Sequence, residues 1–347
     1  VATLPLTFEY HIMIHELYLV AGIFTVLVTA CDFFYTTVSF NGAGVLAKSI
    51  SNGIASLFLW TNKKTSSRYL LKFSGVTHIL AQVALWISLL WFGLFLIMMS
   101  DPYSVLLAPG GEPASAINKL YFSGYVLSTL GNGQYIPNDG GWQIMVAAFS
   151  FAGFIFITTA MTYLMNLTSA VIHKRKLSLF ISNLGETPEE ILANSYTGNG
   201  FDRLTSVAPN LQQMINEHSQ NHYAHPGVHY FYSIPRSESL SLNLTNLDEA
   251  LSLAQTHIKM DTPFDQDLRP LRDTIDKFLN TVQHHFIKKA EAEADAGPGI
   301  QYLQKTGIPL VKQPREQPGG HERRVLLGGL LQSSGWNWNN IYNPDGN

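Results

Sequence analysis

Apolar residues gather along this chain into three long windows that no helical period divides into a buried and a solvated face. Residues 73–100 hold no Asp, Glu, Lys or Arg and carry Val83, Leu85, Trp86, Ile87, Leu89, Leu90, Trp91 and Phe92 in close succession. Residues 140–172 form a second uncharged window, rich in Phe149, Phe151, Phe154, Ile155, Phe156 and Ile157. A third, 17–40, is interrupted by one charge, Asp32. A helix of about 20 residues crosses the roughly 30 Å hydrocarbon layer, and helices of a soluble core keep a polar stripe that these lack. Three transmembrane helices are therefore predicted. In the first, the acids Glu9 and Glu16 stand where a secretory signal would be basic, so a retained span is expected.

Between these windows the pattern weakens. Residues 45–60 place Ile50, Ile54, Leu57 and Phe58 on one helical face but are punctuated by Lys48, Ser49, Ser51, Asn52 and Gly53, which predicts an amphipathic helix in the membrane interface or one packed on the bundle. Residues 115–137 are too short and too polar to cross and return as two helices. Non-helical backbone at membrane depth needs protein or a water-filled path to satisfy its amides. A short helix over about 116–128 followed by an extended Gly-x-Gly run would form a re-entrant loop.

Charge then orients the chain. Only 14% of the 347 residues are Asp, Glu, Lys or Arg, about half the usual share; residues 1–176 hold 9 basic and 6 acidic residues, and 177–347 hold 13 and 19. Lys48, Lys63, Lys64, Arg68 and Lys72 lie between the first two spans, and Lys174, Arg175 and Lys176 follow the third. By the positive-inside rule these are cytoplasmic, which puts the N-terminus outside and the C-terminal half inside a multi-pass protein of the cell membrane. Asp32 is a functional candidate because an acid inside a span is costly, although pairing with Lys48 would suffice. A single cysteine, Cys31, excludes an intrachain disulfide and a Cys-based metal cage. With a net charge of −3 and no basic run, nucleic acid is not an expected partner.

Thr129-Leu130-Gly131-Asn132-Gly133 resembles the selectivity-filter signature of the potassium-channel superfamily, whose loop is written TVGYG. The frame around it is similar to that of the prokaryotic-type channels of that superfamily: an outer helix, a turret over 101–113, a pore helix with Tyr121, Phe122 and Tyr125, the filter, Pro137, then an inner helix. The resemblance covers roughly residues 73–176. It implies a homotetramer in which backbone carbonyls of Thr129 to Gly133 replace the water of a permeant K+, with Na+ also passing if the pore is nonselective. Glycine at 131 and 133 can take left-handed dihedrals, so that alternation keeps the carbonyls pointing one way. Asn132 departs from the usual Tyr or Phe and Gln134 from the usual acid; the aromatic brace is gone, but the amide can still hydrogen-bond behind the filter. Gln134 and Asp139 would lie at the pore mouth. Thr158, Thr159 and Thr162 could line the cavity or bond back to their own helix, and Gly153 could be a gating hinge or a close-packing site.

The expected fold class is an all-α membrane protein: an extracellular N-terminus (1–16), a first span (17–40), a cytoplasmic linker (41–72), a pore module over 73–172 (outer helix 77–100, pore helix and filter 115–137, inner helix 142–172), a helical cytoplasmic domain (173–295) and a poorly ordered tail (296–347). In the cytoplasmic half, Thr187-Pro188-Glu189-Glu190 reads as a helix start. Further helices are expected over about 209–222, 247–259 and 267–294. No Rossmann fingerprint or cyclic-nucleotide roll appears, so any cytoplasmic ligand is unidentified. His218, His222, His225 and His229 have the only metal-like spacing, with His218 and His222 on one helical face; surface histidines and pH-sensitive packing are the other readings. Leu326 to Leu331 could dock a partner. No catalytic constellation is recognisable, so an enzyme is not expected. The other classes are a coupled transporter, which would carry repeated pore loops, and a membrane-anchored signalling or scaffold protein, which leaves the Gly-x-Gly loop unexplained.

Overall fold

The computed structural model describes residues 4–39, 42–65, 67–198, 200–259, 268–283, 300–315, 317 and 319–342, with side chains from residue 13 onward. The described residues are all-α apart from one two-stranded sheet. Three helical stretches, Met13–Val38, Arg68–Met99 and Gly140–Ser182, are long and apolar enough to span a membrane. The protein divides into two compact units, Val1–Ser51 with Ile79–Asn166 and Asn52–His78 with Leu167–Asn347. The expected linker over 41–72 is thus not a separate piece.

The first unit is built from α1 (Leu4–Val38), the start of α2 (Val45–Thr65), most of α3 (Ser74–Met99), β1 (Val105–Leu107), α4 (Ala116–Leu127), β2 (Tyr135–Pro137) and the first part of α5 (Gly140–Ser182). α1 begins well before the expected residue 17. It crosses α3 where two glycines meet: a Cβ on Gly22 would lie 2.8 Å from the Gly93 carbonyl oxygen, and one on Gly93 2.7 Å from Val26 Cγ2. Small residues allow backbones this near, which is how helices pack without a hydrophobic driving force.

Asp32 proves structural, and Lys48 is not its partner. Its carboxylate accepts from the backbone N–H groups of Leu46 (2.8 Å) and Ala47 (3.2 Å), in the first turn of α2, and from Trp86 Nε1 (2.9 Å). It is a capping acid supplied from another helix, where otherwise unpaired N–H groups and the helix dipole both favour a negative charge. Thr36 Oγ1 accepts from Gly44 N at 2.9 Å beside it. α2 buries the narrow stripe Ala47, Ser51 and Ala55, whereas the expected apolar face is half-buried at Ile50, Ile54 and Phe58 and exposed at Leu57.

The second unit packs α6 (Pro188–Ser195), α7 (Asp202–Ala224), α8 (Leu240–His257), α9 (Arg269–Gln283), α10 (Ile300–Lys305), α11 (Gly320–Ser333) and α12 (Asn339–Tyr342) around one core. Thr187 caps α6 as predicted, accepting from Glu190 N at 3.2 Å. α7 starts seven residues before Pro209 and keeps that proline inside. α8 starts at Leu240 rather than near 247. α9 buries Leu271, Ile275, Phe278, Leu279 and Val282 on one face; the expected continuation to 294 lies outside the described residues.

Two sequence expectations fail here. The inner helix does not stop near 172: α5 runs unbroken to Ser182, and Lys174, far from being a solvated loop charge, is buried and donates to the carbonyls of Val228 (3.1 Å) and Phe231 (3.0 Å). Nor are the described residues of 296–347 a loose tail. Leu327, Leu331, Trp336, Trp338 and Ile341 belong to the core, so Leu326 to Leu331 packs internally instead of offering a docking motif. Arg323 pairs with the fully buried Asp248 and with Asp276, and Arg324 lies 3.5 Å from Glu249. Arg68, in a 3₁₀ turn over Arg68–Phe73, donates to the carbonyls of Gly335 (2.5 Å), Ser334 (3.0 Å) and Ser233 (3.1 Å) and sits 3.7 Å over the Trp336 ring.

Candidate pore loop

α4 begins at Ser115, whose hydroxyl accepts from Asn118 N at 3.4 Å. Its amphipathic face buries Phe122, Tyr125 and Val126 against Leu94, Met98, Val105 and Tyr135. Lys119 is buried too, and its ammonium donates to the carbonyls of Met98 (2.9 Å) and Asp101 (2.6 Å), where a cation meets the carbonyl end of α3. Trp91 Nε1 donates to Leu120 O (2.8 Å) and Trp142 Nε1 to Asp101 Oδ2 (3.1 Å). Hydrogen bonds at Lys119 and Leu120 therefore fasten the first half of the short helix to α3.

The helix ends as a Schellman motif. Leu130 N donates to Tyr125 O (3.0 Å) and Thr129 N to Val126 O (3.1 Å), the six-to-one and five-to-two bonds that put the residue after the cap in the left-handed region. That residue is Thr129, with φ 58°. The position is normally glycine's, and a β-branched side chain there is strained by about 1–3 kcal/mol. Gly131 (φ 65°) and Gly133 (φ 33°) also have positive φ, as the spacing predicted, so the left-handed residues recur at every second position. Thr129 was not expected to join them.

All five residues from Thr129 to Gly133 are exposed in the isolated chain. Asn132 Nδ2 donates to the hydroxyl of Tyr121 on α4 at 2.8 Å, the amide bond behind the loop that the sequence allowed. The Asn132 carbonyl accepts from Gln134 N in a three-residue turn, so it is engaged within the loop. Immediately afterwards the chain enters β2, which pairs antiparallel with β1 in the register Leu106↔Ile136, and Tyr125 Oη donates to Tyr135 O at 2.6 Å. The sheet was not foreseen. Two three-residue strands carry too little alternation to register, and only the aromatic pair Tyr125 and Tyr135 hinted at a clasp.

The remaining residues fall as follows. Gln134 is exposed and its carbonyl accepts from Ala108 N at 3.0 Å. Asp139 is exposed and caps α5, accepting from Trp142 N at 3.1 Å. A Cβ on Gly153 would lie 2.1 Å from the Leu127 carbonyl oxygen, so the residue lets α5 touch the end of α4. Thr158 Oγ1 bonds back to Phe154 O and Ile155 O, and Thr162 Oγ1 to Thr158 O, all at 3.0 Å; both threonines are exposed and Thr159 is half-buried. An apolar hollow of about 450 Å³ among Leu90, Trp91, Tyr121, Leu130, Phe156 and Ile157 flanks the loop.

In the second unit, His218 and His222 are buried rather than on the surface, and His222 Nε2 lies 3.4 Å from His229 Nδ1. Among the described residues no three His, Cys, Asp or Glu groups converge as metal ligands. Burial, aided by neighbouring His222 and Lys174, holds both His218 and His229 well below the ordinary imidazole pKa.

The ion-channel family model matches residues 84–170, from the middle of α3 to α5 and across the whole loop. Over 345 residues the chain is 32% identical to the uncharacterized membrane protein YdjJ of Bacillus subtilis (strain 168), an alignment that covers 95% of this chain and 99% of that protein. No solved structure matches it.

Proposed function

The chain belongs to the ion-channel family, and from that premise we propose that it forms a homotetrameric, potassium-conducting channel whose filter is Thr129 to Gly133. The observation that carries this reading is the alternation of positive φ at Thr129, Gly131 and Gly133 at the end of a buried helix, between two helices of membrane-spanning length. A cation leaving water needs oxygen ligands spaced along an axis, and alternating handedness turns successive carbonyls the same way. One chain supplies one loop, so a closed ring needs symmetric copies; the exposed loop and the apolar hollow beside it are surfaces that neighbouring copies would cover. The C-terminal end of α4 would add its dipole to the cavity below.

Potassium is favoured over a nonselective pore because Asn132, though not aromatic, is braced by Tyr121. The Asn132 carbonyl would have to turn out of its contact with Gln134 N when the ring assembles. The charge distribution supports an N-terminus outside, a cytoplasmic second unit and residence in the cell membrane, with α2 laying Ile50, Ile54, Leu57 and Phe58 into the interface.

Purified protein in planar bilayers under a potassium/sodium gradient tests this. Discrete single-channel steps with reversal near the potassium potential are expected, and Gly131→Ala should abolish them while the oligomer still assembles. A reversal potential midway between the two ions would make the pore nonselective; absence of steps, or unaltered current in the variant, would remove the loop from permeation.

A further inference from the structure

The second unit encloses a small cavity, about 40 Å³, walled by Lys174 of α5, by His218, His222 and His229, and by the hydroxyls of Ser239, Ser241 and Ser334 among others. The remaining walls are mostly apolar, with Leu240, Leu244, Phe278 and Leu330, and no carboxylate is present among them. Lys174 makes no ion pair among the described residues; its partners are two neutral backbone carbonyls. A buried ammonium with no counter-charge is costly, because carbonyl dipoles replace only part of its lost hydration. His218 Nδ1, fully buried, has no hydrogen-bond partner among the described residues. Around the serines, Trp336 Nε1 donates to Ser239 Oγ (2.6 Å), Ser239 Oγ lies 3.3 Å from Ser241 Oγ, Ser241 Oγ is hydrogen-bonded to Ser334 Oγ, and Ser334 Oγ donates to Leu331 O (2.9 Å), so the three hydroxyls form a chain that satisfies itself.

We propose that this cavity binds one small monovalent anion of the halide class, chloride under cellular conditions, as the counter-ion of Lys174. Two wall groups have donor capacity to spare, the Lys174 ammonium, whose three N–H groups meet two carbonyls, and the His218 imidazole. The volume admits one to three water-sized bodies, given the roughly 10–15 Å³ that one needs, and a halide is of that size. The pKa depression of His218 and His229 leaves both imidazoles neutral at pH 7, so neither adds charge, and His218 Nδ1 can offer an N–H. One cation thus faces one anion. The site would join α5, α7, α8 and α11, four elements that otherwise meet here across an uncompensated charge.

The inference is independent of conduction and is tested without it. Full-length protein crystallised with bromide replacing chloride should give an anomalous peak inside the cavity, within hydrogen-bond distance of Lys174 Nζ. Thermal unfolding at pH 7 and constant ionic strength should shift upward by about 3–5 °C from sodium gluconate to sodium chloride, the increment expected when a site on the folded state is filled to about ten times its Kd. Lys174→Met should lose that increment. Should the variant fail to fold, the bromide peak in the wild-type protein decides alone. An empty or merely hydrated cavity in the bromide crystals overturns the proposal, as does an identical halide response in a folded Lys174→Met protein.

Discussion

Gly153 separates two accounts of the inner helix that a sequence allows equally. If it is a hinge, Gly153→Ala should leave the folded protein intact and change only opening. If it is a contact, the methyl has nowhere to go. An added Cβ would sit 2.1 Å from the Leu127 oxygen, 2.9 Å from the Leu127 carbonyl carbon and 3.1 Å from its Cα, all backbone atoms, whereas ordinary contact begins near 3.4 Å. The two helices would have to part by about 3.4 − 2.1 = 1.3 Å. Leu127 is the last residue of α4, two residues before the strained Thr129, so the displacement would fall directly on the loop. Overpacking of this kind costs about 1–3 kcal/mol, which corresponds to a fall in Tm of roughly 3–10 °C for a unit of this size. Gly140→Ala is the control, since a Cβ there meets nothing within 4 Å. Thermal unfolding in detergent with a parallel measurement of the oligomer would report the effect. A Gly153→Ala protein as stable as the Gly140→Ala one would refute the contact and restore the hinge.

Three further outcomes are expected. Asp32→Asn should lower stability by about 1–3 kcal/mol, because an acceptor for the α2 amides or the Trp86 indole is lost, while Lys48→Ala should change it by less than about 0.5 kcal/mol; equal effects would return Lys48 to the role of partner. Arg323→Met should destabilise the second unit by about 3–5 kcal/mol, since Asp248, fully buried, would keep only Arg272 at 3.9 Å, and urea unfolding that matched wild type would contradict the pairing. Acidification should destabilise the same unit. His218 and His229 have folded pKa values depressed by burial, with Lys174, His222 and, for His218, His173 and His229 adding repulsion; Glu217, next to His218 in the chain, is engaged by His173 at 3.1 Å. Above about pH 6.5 both states are neutral and nothing is lost, whereas below it the unfolded chain takes protons that the folded one refuses, up to about 3 kcal/mol by pH 5.5 for the two groups. A flat stability profile in gluconate from pH 7.5 to 5.5 would count against this.

What the sequence could reveal followed from how local each signal was. The spans, α4 and the positive φ at Gly131 and Gly133 depend on runs of neighbouring residues, and these were legible. Asp32 was legible as unusual but not as a cap, because its partners are backbone amides 14 and 15 residues away, which no side-chain identity announces. Thr129 misled because its conformation is imposed by the helix end before it rather than chosen by its own side chain. Past Ile172 the apolar run ends in charge, yet α5 continues, since Lys174 finds carbonyls in another segment to receive its protons. Glycines and prolines beyond 296 suggested looseness, while Leu327, Leu330 and Leu331, spaced by three and four residues, were the helical signal that outweighed them. The histidines looked superficial because the faces that cover them, Phe278 above all, lie far along the chain.

Arg68 gives biosynthesis a timetable. One of its three acceptors, Gly335, is made 267 residues after it, at common synthesis speeds a delay of roughly 13 to 53 s. During that interval the first span has emerged, the segment after it has no finished surface to join, and two more apolar helices must still enter the bilayer. A guanidinium in water can wait, whereas Leu71, buried in the finished fold beside Gly335, stays uncovered through that interval, and a ribosome stalled late in the message would release a product wrong near its beginning.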